Sequence, residues 1–171
     1  RFLIKKGKTL QIEKGKTLQI EKGKTLQIKG EIDNKDGGII NNKDGGKINN
    51  EGKITQWTRG LIDNKGTINN NGGGTIYLNK YGKITNNGTI YNNGIIDNNG
   101  TINNNNIINN LYNLINRGKI SNNNKDFRSR LINIGKILNY SDITSTKINS
   151  IINYGKVLTF MESKINAKIE N

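Results

Sequence analysis

A glycine followed two positions later by isoleucine returns along this chain every six or eight residues, from residue 30 to about residue 105. No other feature limits the fold so tightly. The intervals read GEIDNKDG (30–37), GIINNKDG (38–45), GKINNE (46–51), GKITQWTR (52–59), GLIDNK (60–65), GTINNNGG (66–73) and GTIYLNKY (74–81). GKITNN, GTIYNN, GIIDNN and GTINNN follow over 82–105, and three octads, GKTLQIEK twice and then GKTLQIKG, precede them over 7–30. A fixed internal period marks a repeat architecture, in which each unit buries its apolar residues against its neighbours alone.

In Thr89, Ile90 and Tyr91 an extended backbone alternates its side chains, so the isoleucine points one way and its neighbours the other. Helical periodicity is absent, and a strand this short is not stable on its own. The following Asn-Asn-Gly is turn chemistry: Asn tolerates a left-handed backbone, and Gly takes positive φ without steric cost. Short strand, corner, short strand describes the faces of a coil, and stacked coils pair their strands in parallel at about 4.8 Å. The expected class is therefore all-β: a parallel β-helix (β-solenoid) of G-x-I-x-N-N hexads and octads. Three units per coil give roughly 18–24 residues per coil, about seven to nine coils and a rod about 35–45 Å long. Handedness stays open, since hexads suit left-handed coils and mixed lengths suit right-handed ones.

The predicted core is Ile32, Ile40, Ile48, Ile54, Ile62, Ile68, Ile76, Ile84, Ile90, Ile96 and Ile102, with Thr89, Tyr91 and Thr101 outward. By the same parity Asn86, Asn92 and Asn98 share the isoleucine face near the corners, where stacked amides can bond to the Asn above and below. In the first octads Leu10 and Ile12 face in while Thr9 and Gln11 face out, which predicts a wider coil at that end. Trp57, in the octad 52–59, is expected inside such a coil. The glycines of the hexads, Gly88 and Gly94 among them, are expected at positive φ. Residues 1–106 read as regular repeats and 107–171 as degenerate coils with a cap or partner-docking segment of the same domain. Within the latter, 122–130 reads as a loop and 143–152 as a strand or short helix.

The chain carries 33 Asn, 30 Ile and 21 Gly, about half its 171 residues. Such polarity suits disorder, but the regular isoleucines argue for order. Residues with A/T-rich codons dominate, which points to an AT-rich genome. There is no His and no Cys, which removes imidazole catalysis, thiolate chemistry and disulfides. Asp33, Asp63 and Asp97 point outward among lysines and read as solvated. The stretches DNKDGG (33–38) and NNKDGG (41–46) look like calcium loops only superficially, because Lys35 and Lys43 sit inside them. Thr67, Thr75, Thr89 and Thr101 alternate with lysines, which breaks any regular threonine array. Trp57, Tyr77, Tyr81 and Tyr91 are too scattered to suggest a base-stacking module. Sequons at Asn87, Asn99 and Asn139 follow mostly from the repeat. No catalytic residue, metal ligand, cofactor or small-molecule substrate is expected.

The net charge is +14, from 27 basic and 13 acidic side chains. A surface this basic favours anionic partners: acidic protein, glycan or nucleic acid. The residues singled out as partner contacts are Lys8, Lys16, Lys24, Lys47, Lys53 and Lys83, expected to stack into stripes along the rod. No run of about 18 apolar residues is present. The first residue, Arg1, reads as that of a fragment or processed chain.

With GTIYNNGIIDNNGTINNN in view, residues 7–120 resemble two groups of β-helical repeat proteins. One is the surface proteins and adhesins of bacteria; the other is the Asn/Ile/Lys-rich repeat proteins of large DNA viruses with AT-rich genomes. The resemblance implies a non-enzymatic structural role at a virion or cell surface, with other structural proteins or further copies of the chain as partners. The alternative it implies is an adhesin passenger fragment binding glycan or a host receptor.

Overall fold

The computed structural model describes residues 1–104, 107–110, 112–116, 118–122, 130–133, 136–139, 143–145, 151–153, 155–159, 165–166 and 169–170. They form a parallel β-solenoid without helix. Every third strand pairs, which gives three parallel sheets of nine, eight and eight strands. The first sheet begins with Phe2–Ile4, the second with Thr9–Ile12 and the third with Thr17–Ile20. One coil is thus three strands and three corners. Nine stacked strands at the usual spacing make a rod about 40 Å long.

Register is the same at every step through the regular repeats. Ile68 pairs with Ile48 and Ile90, and Asn70 with Asn50 and Asn92. The second residue of each strand therefore builds one inward column and the fourth builds another. All eleven isoleucines named from the sequence are buried. Thr89 and Thr101 are half-buried and Tyr91 is exposed, all on the outer side. β-Branched isoleucine suits this site, because its stiff side chain packs well on a pleated surface.

From the second coil on the fourth-position column is mostly polar, and its amides from Asn34 to Asn139 whose burial is described are fully buried. In the first sheet Asn50 donates to Asn70, Asn70 to Asn92, Asn92 to Asn110, Asn110 to Asn133 and Asn133 to Asn153, each at 2.7–2.8 Å. In the third sheet Asn42, Asn64, Asn86 and Asn104 form the same ladder. Along each ladder the side-chain N–H₂ donates to the amide oxygen of the next coil; the first amides, Asn34 and Asn42, stand above Ile12 and Ile20, and their Oδ1 atoms have no hydrogen-bond partner. The second sheet interrupts the pattern: Asn34 donates to Gln56, but Leu78 lies above Gln56, and the ladder resumes from Asn98 to Asn116 and Asn139. Gln56 Nε2 is left without a partner. A buried amide costs free energy unless bonded, so the ladders let a polar column close the core.

The first octads do not widen the coil. Leu10 and Leu18 align with Ile32 and Ile40, and Ile12, Ile20 and Ile28 stand below Asn34, Asn42 and Asn50. Strands are four residues long in octads and hexads alike. An octad's two extra residues lengthen the corner from two to four, so the walls stay constant while the corners project. Coil length falls from 24 residues at Phe2↔Leu26 to 18 at Thr89↔Ile107.

The expectation of positive φ holds only for the four-residue corners. Gly73 has φ +85°, and a Cβ there would meet nothing closer than 4.0 Å. Gly88, in a two-residue corner, is not in the left-handed region. It is glycine for another reason: a Cβ would collide with the Gly66 carbonyl oxygen in the coil beneath and lie 2.7 Å from that of Lys65. Two-residue corners bring successive backbones into contact, and a side chain has no room between them.

Strands continue through the degenerate region to Ile169–Glu170. Ile143–Ser145 and Ile151–Asn153 are strands, while 146–150 lie outside the described residues. So do 123–129, most of the expected loop at 122–130.

Candidate functional site

The six lysines named from the sequence are all exposed, but they do not stack. Lys8, Lys16 and Lys24 precede strands of the second, third and first sheets, one at each corner of the N-terminal coil. Lys47 lies between Thr25 and Thr67 in the first sheet, and Lys53 between Glu31 and Thr75 in the second. Lys83 lies between Leu61 and Thr101 in the third. The reason is geometric. With three strands per coil, residues one repeat apart fall on different faces, and only residues one coil apart stack. The result is a basic belt at the N-terminal coil and single cations on the faces, in place of stripes.

The carboxylates are dispersed by the same rule. Asp33 and Asp97 share the second sheet but lie three coils apart, with Thr55 and Tyr77 between them. Asp63 is on the third sheet, and Asp33 faces Lys35 at 3.7 Å. Among the described residues no group of three His, Cys, Asp or Glu gathers to hold a metal. Thr67 and Thr89 stack in the first sheet, whereas Thr75 and Thr101 are on the other two.

Corner length shapes the edges of the prism. Between the first and second sheets the four-residue corners 5–8 and 71–74 project above and below the short corners 29–30 and 51–52. Between them is a recess of about 480 Å³, floored by Gly30 and Gly52 and flanked by Lys6, Lys29 and Lys53 with Glu31. Lys29 also faces Glu51 at 3.9 Å. This recess offers ammonium groups, threonine hydroxyls and the Glu31 carboxylate.

Between the second and third sheets four successive corners are long: 13–16, 35–38, 57–60 and 79–82. In each, the N–H of the fourth residue bonds to the carbonyl of the first, as Gly60 does to Trp57 at 2.8 Å and Gly82 to Asn79 at 2.8 Å. The third residue of such a turn takes positive φ, a place for Gly or Asn. Gly15 and Gly37 obey, but the next two are Arg59 (φ 58°) and Tyr81 (φ 106°), the two non-glycine residues with positive φ among those described. Each costs roughly 1–2 kcal/mol against glycine. Trp57 is 40% exposed, contrary to its expected place in the core, because the octad's extra residues carry it out to the corner. Tyr81 is 63% exposed. Lys35 Nζ lies 5.6 Å from the Trp57 ring centre and Lys80 Nζ 5.4 Å from that of Tyr81, both within cation–π range. Tyr77 stands half-buried on the adjoining flank. The aromatics that look scattered in sequence are thus partly gathered. The one signal for this was spacing: Tyr77 and Tyr81 follow Trp57 by 20 and 24 residues, either side of the 22-residue coil at this place.

Further along, the outer face of the second sheet changes character. Asp97 is followed in its column by Ile115, Leu138 and Leu158, all half-buried. The fold defines the chain as a β-solenoid repeat protein. No protein-family model, curated protein or solved structure matches it.

Proposed function

We propose that this chain is a non-enzymatic structural repeat protein of a virion or surface filament, acting by contact through a rigid basic rod. The observation that supports this most is the pairing of a closed core with a basic exterior. Isoleucines and amide ladders fill the interior, while all six singled-out lysines stand in solvent on a chain of net charge +14. The belt of Lys8, Lys16 and Lys24 and the single cations Lys47, Lys53 and Lys83 are carried at fixed places on a rigid stack, which favours an anionic partner. The aliphatic column Ile115, Leu138 and Leu158 suits docking against another structural protein or a second copy of the chain.

The test is release from the native particle. Rising salt should free the protein, because exposed charge contacts are screened within about 10 Å at 0.1 M salt. Changing Lys8, Lys16 and Lys24 to Gln, or Lys47, Lys53 and Lys83 to Gln, should lower the salt needed. Retention indifferent to both salt and substitution would refute electrostatic docking. A second reading, an adhesin passenger binding glycan or a host receptor, is favoured by one feature: the recess at Gly30 and Gly52, whose size and polar lining suit a saccharide.

A further inference from the structure

We propose that the edge between the second and third sheets binds single-stranded nucleic acid. Trp57 and Tyr81 supply the stacking rings, and Lys35, Arg59 and Lys80 supply the phosphate contacts. These five residues are distinct from the six lysines of the basic belt and faces.

The first argument is exposure against cost. Trp57 and Tyr81 are large rings held in solvent on successive coils, where the long corners of this edge otherwise carry Glu13, Lys35 or Asn79 in the first position and Gly15, Gly37 or Arg59 in the third. Tyr81 and Arg59 also occupy a turn position that glycine fills elsewhere, and no apolar contact in the core compensates them. Strained, exposed residues stacked at one edge are where a binding role accounts for what the fold alone does not. Arg59 and Tyr81 are one coil apart in sequence, 22 residues as at Lys53↔Thr75, so the fold stacks them, with Trp57 in the same corner as Arg59.

The second argument is chemical. Each ring has an ammonium at cation–π distance, so an aromatic face and a positive charge are presented side by side on two consecutive coils. A single strand offers the complement, a flat base beside a phosphate, repeated along the chain. A neutral glycan would leave Arg59 and Lys80 without a charged partner. A duplex would hide its bases from an edge that projects as a ridge. The acidic groups at this edge are Glu13 and Asp36 in the two lower corners, with Asp33 beside Lys35. Arg59, Lys80 and both rings lie in the corners above these.

Trp57 is the sole tryptophan, so its fluorescence reports this edge alone. Titrating the full chain with a short oligothymidylate at low salt should change Trp57 emission saturably, and added salt should reverse the change. Tyr81→Gly should weaken binding roughly tenfold, the loss of one stacked base. The same variant should melt at the same temperature or higher, because glycine relieves the positive φ. Arg59→Gly should likewise hold or raise the melting temperature while reducing the salt dependence of binding. A merely structural Tyr81 would lower the melting temperature when replaced and leave binding untouched. No saturable change in emission, or equal affinity of wild type and Tyr81→Gly, would overturn the proposal. Heparin binding with the same affinity and the same dependence on Tyr81 would overturn it too, reassigning the edge to acidic glycan. Failure here leaves the salt-dependent release by the six lysines standing, since those variants touch other residues.

Discussion

Replacing Gly88 by Ala adds one methyl group at the tightest kind of contact in this solenoid. The new Cβ would press on the Gly66 carbonyl oxygen and sit 2.7 Å from that of Lys65, inside the 3.0 Å that real Cβ contacts respect. Both atoms are backbone, so no rotamer change relieves the clash and the coils must separate locally. The bonds at stake are Thr89 N–H to Gly66 O at 2.9 Å, Gly88 N–H to Asn64 O at 3.0 Å and Asn87 N–H to Asn64 O at 2.7 Å. Losing two or three of them at roughly 1 kcal/mol each gives a destabilisation of about 2–3 kcal/mol. Gly73→Ala is the matched control: its φ is +85° but the space is open, so only the left-handed backbone of alanine counts, about 1–2 kcal/mol. Urea unfolding of both variants, followed by far-ultraviolet circular dichroism, should place Gly88→Ala well below Gly73→Ala. Equal midpoints, or the reverse order, would refute the assignment of two different roles to the two kinds of glycine.

The amide ladders make two further predictions. Asn70→Ala removes the acceptor for Asn50 and the donor for Asn92, Gly74 O and Ile95 O, and should cost about 2–4 kcal/mol. Asn69→Ala, which loses one half-buried bond to Asn49, should cost under about 1 kcal/mol in the same urea assay. Comparable losses would mean that the buried ladder adds nothing beyond a surface amide pair. Gln56→Leu should be milder than Asn70→Leu, because Leu78 already leaves Gln56 Nε2 unanswered and Asn34 keeps its bond to Gly38 O. Differential melting of the two leucine variants checks the order, and a more harmful Gln56→Leu would contradict it.

What the sequence by itself determined is the wall of this solenoid. Alternation along four residues sends Ile90 and Asn92 inward and Tyr91 outward, and this is local stereochemistry that needs no partner strand. Stacking of identical units then follows from the period, so the core isoleucines and the inward amides Asn86, Asn92 and Asn98, one on each of the three ladders, were legible in the sequence. Only the tertiary structure decided what meets across coils. Units of six and eight residues are mixed, so coil length varies from 24 to 18, and no fixed spacing says which residues share an edge. For that reason Lys8, Lys16 and Lys24 form a belt and not a stripe, and Trp57 joins Tyr81 at one edge. The same holds for glycine. Gly73 and Gly88 read alike in sequence, but one answers a backbone angle and the other the approach of a carbonyl 22 residues earlier, a contact that exists only once the coils are stacked.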